Sequence, residues 1–267
     1  MISKSSNLWL IISSNFKFYY RSKRFQILLP LSLAISYINV ILVFLHIVTK
    51  PSSPYTFMDA TLSYYLPLFI VIAGLFGGDL ISKDFSREGL FTLSQPLKRE
   101  TIFVARFISA LIASIIAVLI FLAGVMSSTL LLYSHLVGNW PLIIAFSIFG
   151  MASLLAFTSL FSTLSKNPSI SITISIFVLL IIFPLIEAIL TDIQYEPWFL
   201  IIYGLTVISN VAEPTYPPHI LKEVTTNGIQ RIYNVTIPES IEILLSYFII
   251  SILLSIIVYR SRQLSEI

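Results

Sequence analysis

The sequence predicts an all-α polytopic membrane protein with six transmembrane helices and both termini cytoplasmic. Three observations predict it. The 267 residues are 57% hydrophobic and only 11% charged, with mean hydropathy +0.92, more apolar surface than a water-soluble domain of this length can hide. Six apolar runs reach the length of about 20 residues that a crossing helix needs. The basic residues between those runs fall on one side when the runs are threaded in order, as cytoplasmic flanks do.

The organisation is a single transmembrane domain over 1–267. An amphipathic interfacial helix is expected at 5–24, spans one to five at 25–190, an external region at 191–240, span six at 241–259 and a cytoplasmic tail at 260–267. On a helical wheel Leu8, Trp9, Ile12, Phe16, Tyr19 and Tyr20 share one face of the first helix, and Asn7, Ser14, Lys17 and Arg21 the other. That pattern suits a helix on the inner leaflet with Lys17 and Arg21 toward anionic headgroups. Lys17, Arg21, Lys23 and Arg24 then lead into a full-length span without a small-residue cleavage site, so no cleavable signal peptide is expected.

The spans are expected at roughly 25–48, 62–82, 102–132, 140–163, 169–190 and 241–259. The third exceeds what a crossing requires and is expected to begin in the cytoplasm. Lys83, Arg87, Lys98, Arg99 and Arg106 fall between or beside the second and third, Lys166 after the fourth, and Arg260 and Arg262 after the sixth. The opposite side holds Asp192, Glu196, Glu213, Glu223, Glu239 and Glu242 against Lys50, Lys222 and Arg231. The apolar run Trp198–Val211, about 14 residues between Pro197 and Pro214, is too short to cross. It reads as a short helix that dips into the outer leaflet or packs on top of the spans.

Composition closes off several chemistries. There is no cysteine, which excludes disulfides, thiolate metal sites and cysteine nucleophiles. A net charge of +3 gives no case for nucleic acid. His46, His135 and His219 are scattered over the outer side, and no metal is assigned to them. Asp79 and Glu187 lie near span ends and are expected to reach water by snorkelling. Span centres without charge argue against a proton pump, an ion-coupled symporter or a voltage sensor. No phosphate loop of the Gly-x-x-x-x-Gly-Lys-[Ser/Thr] type occurs, and no catalytic pairing at span depth.

The most polar stretch is the connector 83–100 after the second span. Phe85, Gly89 and Leu93 fall on one stripe of a short helix expected over Asp84–Ser94, with Asp84, Arg87, Glu88 and Thr92 on others, and Gln95-Pro96 ends it. A solvated loop has little use for Phe85, Leu90, Phe91 and Leu93, so a protein partner is expected there.

This connector resembles the cytoplasmic signature of the ABC-2 type permeases, the membrane subunits of a large class of ABC transporters. Ile81-Ser-Lys-Asp84 stands at its start, Arg87-Glu-Gly89 holds the Glu–Gly core, and Leu93-Ser-Gln-Pro-Leu-Lys-Arg99 matches the proline elbow, with Ala105-Arg-Phe107 where Gly-Lys is usual. Leu90 replaces the family's Thr, and the Gly-to-Pro spacing is shorter than usual. The amino-terminal helix, the turn Leu164–Ser169 and the external segment 197–238 are also similar to that family, so the likeness covers nearly the whole chain.

The resemblance implies a prokaryotic plasma-membrane permease without its own ATP site. It would pair with a second copy or a paralogue and with two cytoplasmic ATPase subunits that hold ATP and Mg. Asp84, Phe85, Arg87, Glu88, Gly89, Leu90, Leu93 and Pro96 would form the ATPase-coupling segment, with Trp9, Phe16, Lys17 and Arg21 on the interfacial helix. The passenger would be lipid-like or amphipathic and exported. Two other classes stay open: an ATP-driven scaffold acting on an extracytoplasmic partner through 191–240, and an autonomous channel or secondary transporter.

Overall fold

A computed structural model describes residues 4–85, 98–225 and 228–261. Among these described residues are six helices long and apolar enough to cross a membrane, which makes the chain an integral, multi-pass membrane protein. Helix α1 (Lys4–Arg21) precedes the first of them, α2 (Lys23–Phe44). Ser22 makes the elbow between the two: its Oγ accepts from Phe25 N and donates to the Tyr19 carbonyl.

The second crossing starts earlier than hydropathy suggested, at Pro54, and comes in two pieces, α3 (Pro54–Leu62) and α4 (Tyr65–Gly77). The break has a local cause. Pro67 has no N–H to offer the carbonyl of Ser63, so the ladder fails there and restarts in the first turn of α4. A 3-10 turn, Ser82–Phe85, ends the crossing.

Helix α5 (Arg99–Tyr133) has 35 residues, about 52 Å at 1.5 Å per residue, against a hydrocarbon core of about 30 Å. Helices α6 (Trp140–Leu164) and α7 (Pro168–Asp192) follow. Within α7 the turn Val178–Ile182 widens to π geometry just ahead of Pro184, where the proline's missing N–H would otherwise strand a carbonyl. The last crossing, α10 (Ile237–Ser261), begins four residues before the expected start at 241.

Between α7 and α10 lies the largest departure from the all-α expectation. Two short helices, α8 (Ile201–Leu205) and α9 (Val207–Asn210), are followed by an antiparallel hairpin of β1 (Ile220–Thr225) and β2 (Gly228–Tyr233), with Ile220 opposite Tyr233 and Thr225 opposite Gly228. Ile201, Ile202, Leu205, Val207 and Ile208 are buried. Tyr65 donates its hydroxyl to the Leu205 carbonyl at 2.9 Å, and Ser240 Oγ donates to the Gly204 carbonyl at 2.7 Å. Protein therefore shelters this irregular backbone, as an apolar surround requires.

Small residues set the helix spacing, since apolar side chains gain little by leaving lipid for each other. Gly124 on α5 leaves room for Ser36 of α2, and Gly77 faces Thr158 of α6, whose Oγ1 donates to the Ala73 carbonyl at 2.9 Å. Ser153 joins α6 to α10 by donating to the Leu244 carbonyl at 2.8 Å. The core centres on α4, α5 and α6, while α2, α7 and α10 present large apolar side chains outward, among them Ile27, Ile41, Phe177, Leu185, Leu253 and Ile257.

Candidate functional site

The helices gather their basic ends at one face of the bundle, and two carboxylates at the foot of the second crossing organise that face. Asp79 and Asp84 are 3% and 1% exposed. Asp79 Oδ2 lies 2.6 Å from Arg24 Nη1 and 2.6 Å from Lys83 Nζ, one helical turn on. Asp84 Oδ1 lies 2.6 Å from Arg106 Nη1, and its Oδ2 accepts from the Tyr259 hydroxyl at 2.7 Å. Arg106 also donates to the Leu80 carbonyl at 3.1 Å. Arg99 donates to the Tyr259 carbonyl at 3.1 Å and lies over the Tyr259 ring. The foot of the second span is thereby tied to α2 by Asp79 and to α5 and α10 by Asp84.

A buried carboxylate persists only when paired and hydrogen-bonded, because desolvation otherwise exceeds the Coulombic gain. This explains why Asp79 does not reach water by snorkelling: Arg24 and Lys83 come to it instead. Asp84, expected on the coupling surface, has its carboxylate enclosed between Arg106 and Tyr259. Glu187 on α7 is partly buried.

The backbone that leaves α4 is held as firmly. Ser162 Oγ on α6 accepts from both Ile81 N (2.8 Å) and Ser82 N (3.0 Å), two donors at the start of the 3-10 turn that have no acceptor within it. Ser162→Ala leaves both N–H groups buried and unpaired. The expected cost is about 1–3 kcal/mol each where no water replaces the hydroxyl, read as a lower thermal midpoint of the purified protein, with Ser162→Thr close to wild type.

Helix α1 completes the face. Ile12 and Tyr19 are buried against the bundle, and Ser109 Oγ of α5 donates to the Ile12 carbonyl at 3.0 Å. Tyr19 meets Phe76 edge to face with centroids 5.4 Å apart. Its burial, reinforced by the Asp79 charge, pushes the phenol pKa well above its ordinary value. Trp9, Phe18 and Tyr20 point outward, and Lys17 and Arg21 are exposed. The wheel's single apolar face is thus divided: Ile12, Phe16 and Tyr19 pack on the protein, while Trp9 and Tyr20 face the surroundings. A cavity of about 270 Å³ opens between this helix and the foot of the second span, lined by Phe18, Tyr19, Lys23, Arg24, Phe76, Asp79 and Lys83.

The other expected coupling residues, Arg87, Glu88, Gly89, Leu90, Leu93 and Pro96, lie outside the described residues, and of Phe85 only the backbone is described. What sequence reasoning missed is the pairing behind them. Arg24 is 55 positions from Asp79, and Tyr259 is 175 from Asp84. The one available signal was two acids, Asp79 and Asp84, flanking a basic residue where an apolar run ends. No protein-family model and no curated protein matches this chain.

Proposed function

We propose that this chain is the membrane-spanning subunit of an ABC-type exporter, and that the connector after its second span is the handle by which separate cytoplasmic ATPase subunits move it. The observation that carries the reading is the anchoring of that connector's stem. A loop that only joined two spans could absorb a push. Here Asp79 and Asp84 join the stem to α2, α5 and α10, and Ser162 joins it to α6. Force applied to the connector reaches four crossings, so two arrangements of the bundle can be biased from one point.

In this reading ATP and Mg reside on the partner subunits at the plasma membrane. The bundle pairs with a second copy or a paralogue through the apolar faces it leaves uncovered, and the passenger is lipid-like or amphipathic, in keeping with spans whose charges sit only at their ends. Glu88 and Arg87 supply polar contacts to the ATPase, and Phe85, Leu90 and Leu93 fill its groove. Coupling of this kind is worth about 1–3 kcal/mol of differential binding.

The test is co-expression with a Walker-type ATPase encoded in a neighbouring reading frame, whose presence the reading requires. Wild type is expected to co-purify with it and to raise its ATP turnover, whereas Phe85→Asp and Glu88→Arg lose both while remaining monodisperse alone. Unchanged association and turnover in both variants would sink the coupling role. Flux from the purified chain in liposomes without nucleotide would favour the autonomous channel instead.

A further inference from the structure

At the opposite end of the bundle three segments far apart in sequence converge: the loop after α7, the entry to β1 and the first turn of α10. We propose that Glu196, His219 and Glu239, one from each, form a binding site for a single divalent transition-metal ion of the zinc class.

One ligand atom from each side chain lies within 4.8 Å of the others. His219 Nε2 stands 3.6 Å from Glu196 Oε2. Ligand atoms around a tetrahedral ion with bonds of about 2.0–2.1 Å are about 3.3 Å apart, so an ion between them needs only a slight contraction. Glu239 Oε2 stands 3.7 Å from Nδ1 of the same imidazole, and one of its carboxylate oxygens falls within the 4.8 Å cluster.

Each ligand is oriented by a second contact, the arrangement that fixes metal-binding side chains. His219 Nδ1 lies 2.9 Å from the Asn234 carbonyl. With the Nδ1 proton donated there, the lone pair of the neutral ring is on Nε2, facing Glu196. Asn234 also fixes the backbone: its N donates to the His219 carbonyl at 2.8 Å and its Nδ2 to the Pro218 carbonyl at 3.0 Å. Glu196 Oε1 accepts from the Tyr203 hydroxyl at 2.8 Å, which leaves Oε2 for an ion. Glu239 Oε2 accepts from Thr236 N at 2.8 Å. All three side chains are partly buried, 24% to 38% exposed.

Two carboxylates share this pocket, and among the described residues no Lys or Arg pairs with either. A dication supplies the missing charge. One imidazole with two carboxylates suits zinc rather than calcium or magnesium, which take oxygen ligands alone. Three protein ligands leave a fourth position for water or for a donor from a partner. Bound there, the ion would join the end of the fifth span, the hairpin and the start of the sixth. This inference is independent of the transport reading.

The test uses tag-free, metal-stripped full-length protein in detergent, titrated with Co²⁺ by visible absorption and with Zn²⁺ by calorimetry. One ion per chain is expected, with Zn²⁺ displacing Co²⁺. His219→Gln and Glu196→Gln are each expected to weaken binding at least about tenfold, while His135→Gln binds as wild type. Glu196→Gln can keep the Tyr203 hydrogen bond, so a folded variant with lost affinity isolates the ligand role. No saturable ion, tighter binding of Ca²⁺ than of Zn²⁺, or wild-type affinity in both variants would overturn the proposal.

Discussion

Asp84→Asn is expected to destabilise the protein strongly. It leaves Arg106, whose side chain is only 16% exposed, with a buried charge and no carboxylate opposite, a loss of about 3–5 kcal/mol. Arg106→Leu should cost as much from the other side. Combining Asp84→Asn with Arg106→Leu removes both charges and should recover most of the loss, because a buried pair replaced by neutral groups is often near neutral in stability. Tyr259→Phe removes one hydrogen bond to a charged acceptor and should cost less, about 1.5–3 kcal/mol. Thermal midpoints of the four variants, measured by loss of the monodisperse peak after heating in detergent, give the order. Additive losses in the double variant would show that Asp84 and Arg106 do not act as a pair.

Gly77→Val is the second large effect. A Cβ at Gly77 would enter the space of Thr158 Oγ1 and approach the Leu155 backbone carbonyl to 3.0 Å. A side chain can turn away from such a contact, but the carbonyl belongs to the frame of α6 and cannot. The two helices must separate, which also stretches the Thr158 bond to the Ala73 carbonyl. Over-packing of this kind costs about 1–3 kcal/mol or more. The same change at Gly74 meets mainly the flexible side chain of Ile176 and is expected to be milder. Equal midpoints for Gly77→Val and Gly74→Val would refute this account.

The six crossings were legible because each is a long apolar run, and hydropathy reads such runs directly. Their ends were less so. Pro54–Leu62 contains Asp59 and two threonines, which pulled the expected start of the second span inward to 62. The hairpin was missed although Ile220–Thr225 and Ile229–Tyr233 flank an Asn227-Gly228 dipeptide, a strong hairpin signal; an overwhelmingly helical composition obscured it. The Asp79–Lys83 pair is local, four residues apart, but the Asp79–Arg24 and Asp84–Arg106 pairs and the Glu196–His219–Glu239 cluster depend on contacts between distant segments, which spacing along the chain does not record. Asp79 shows the limit: from sequence it is an acid at a span end, and only folding brings Arg24 to it.

The burial of these ion pairs has a consequence for handling the protein. At about 1 M ionic strength the screening length falls to about 3 Å, and mobile ions then disrupt contacts they can reach, such as the exposed Glu100–Arg260 pair. They have little access to Asp84 and Arg106. Strong brine should therefore strip loosely attached polypeptides from this surface while the clasp beneath it stays shut.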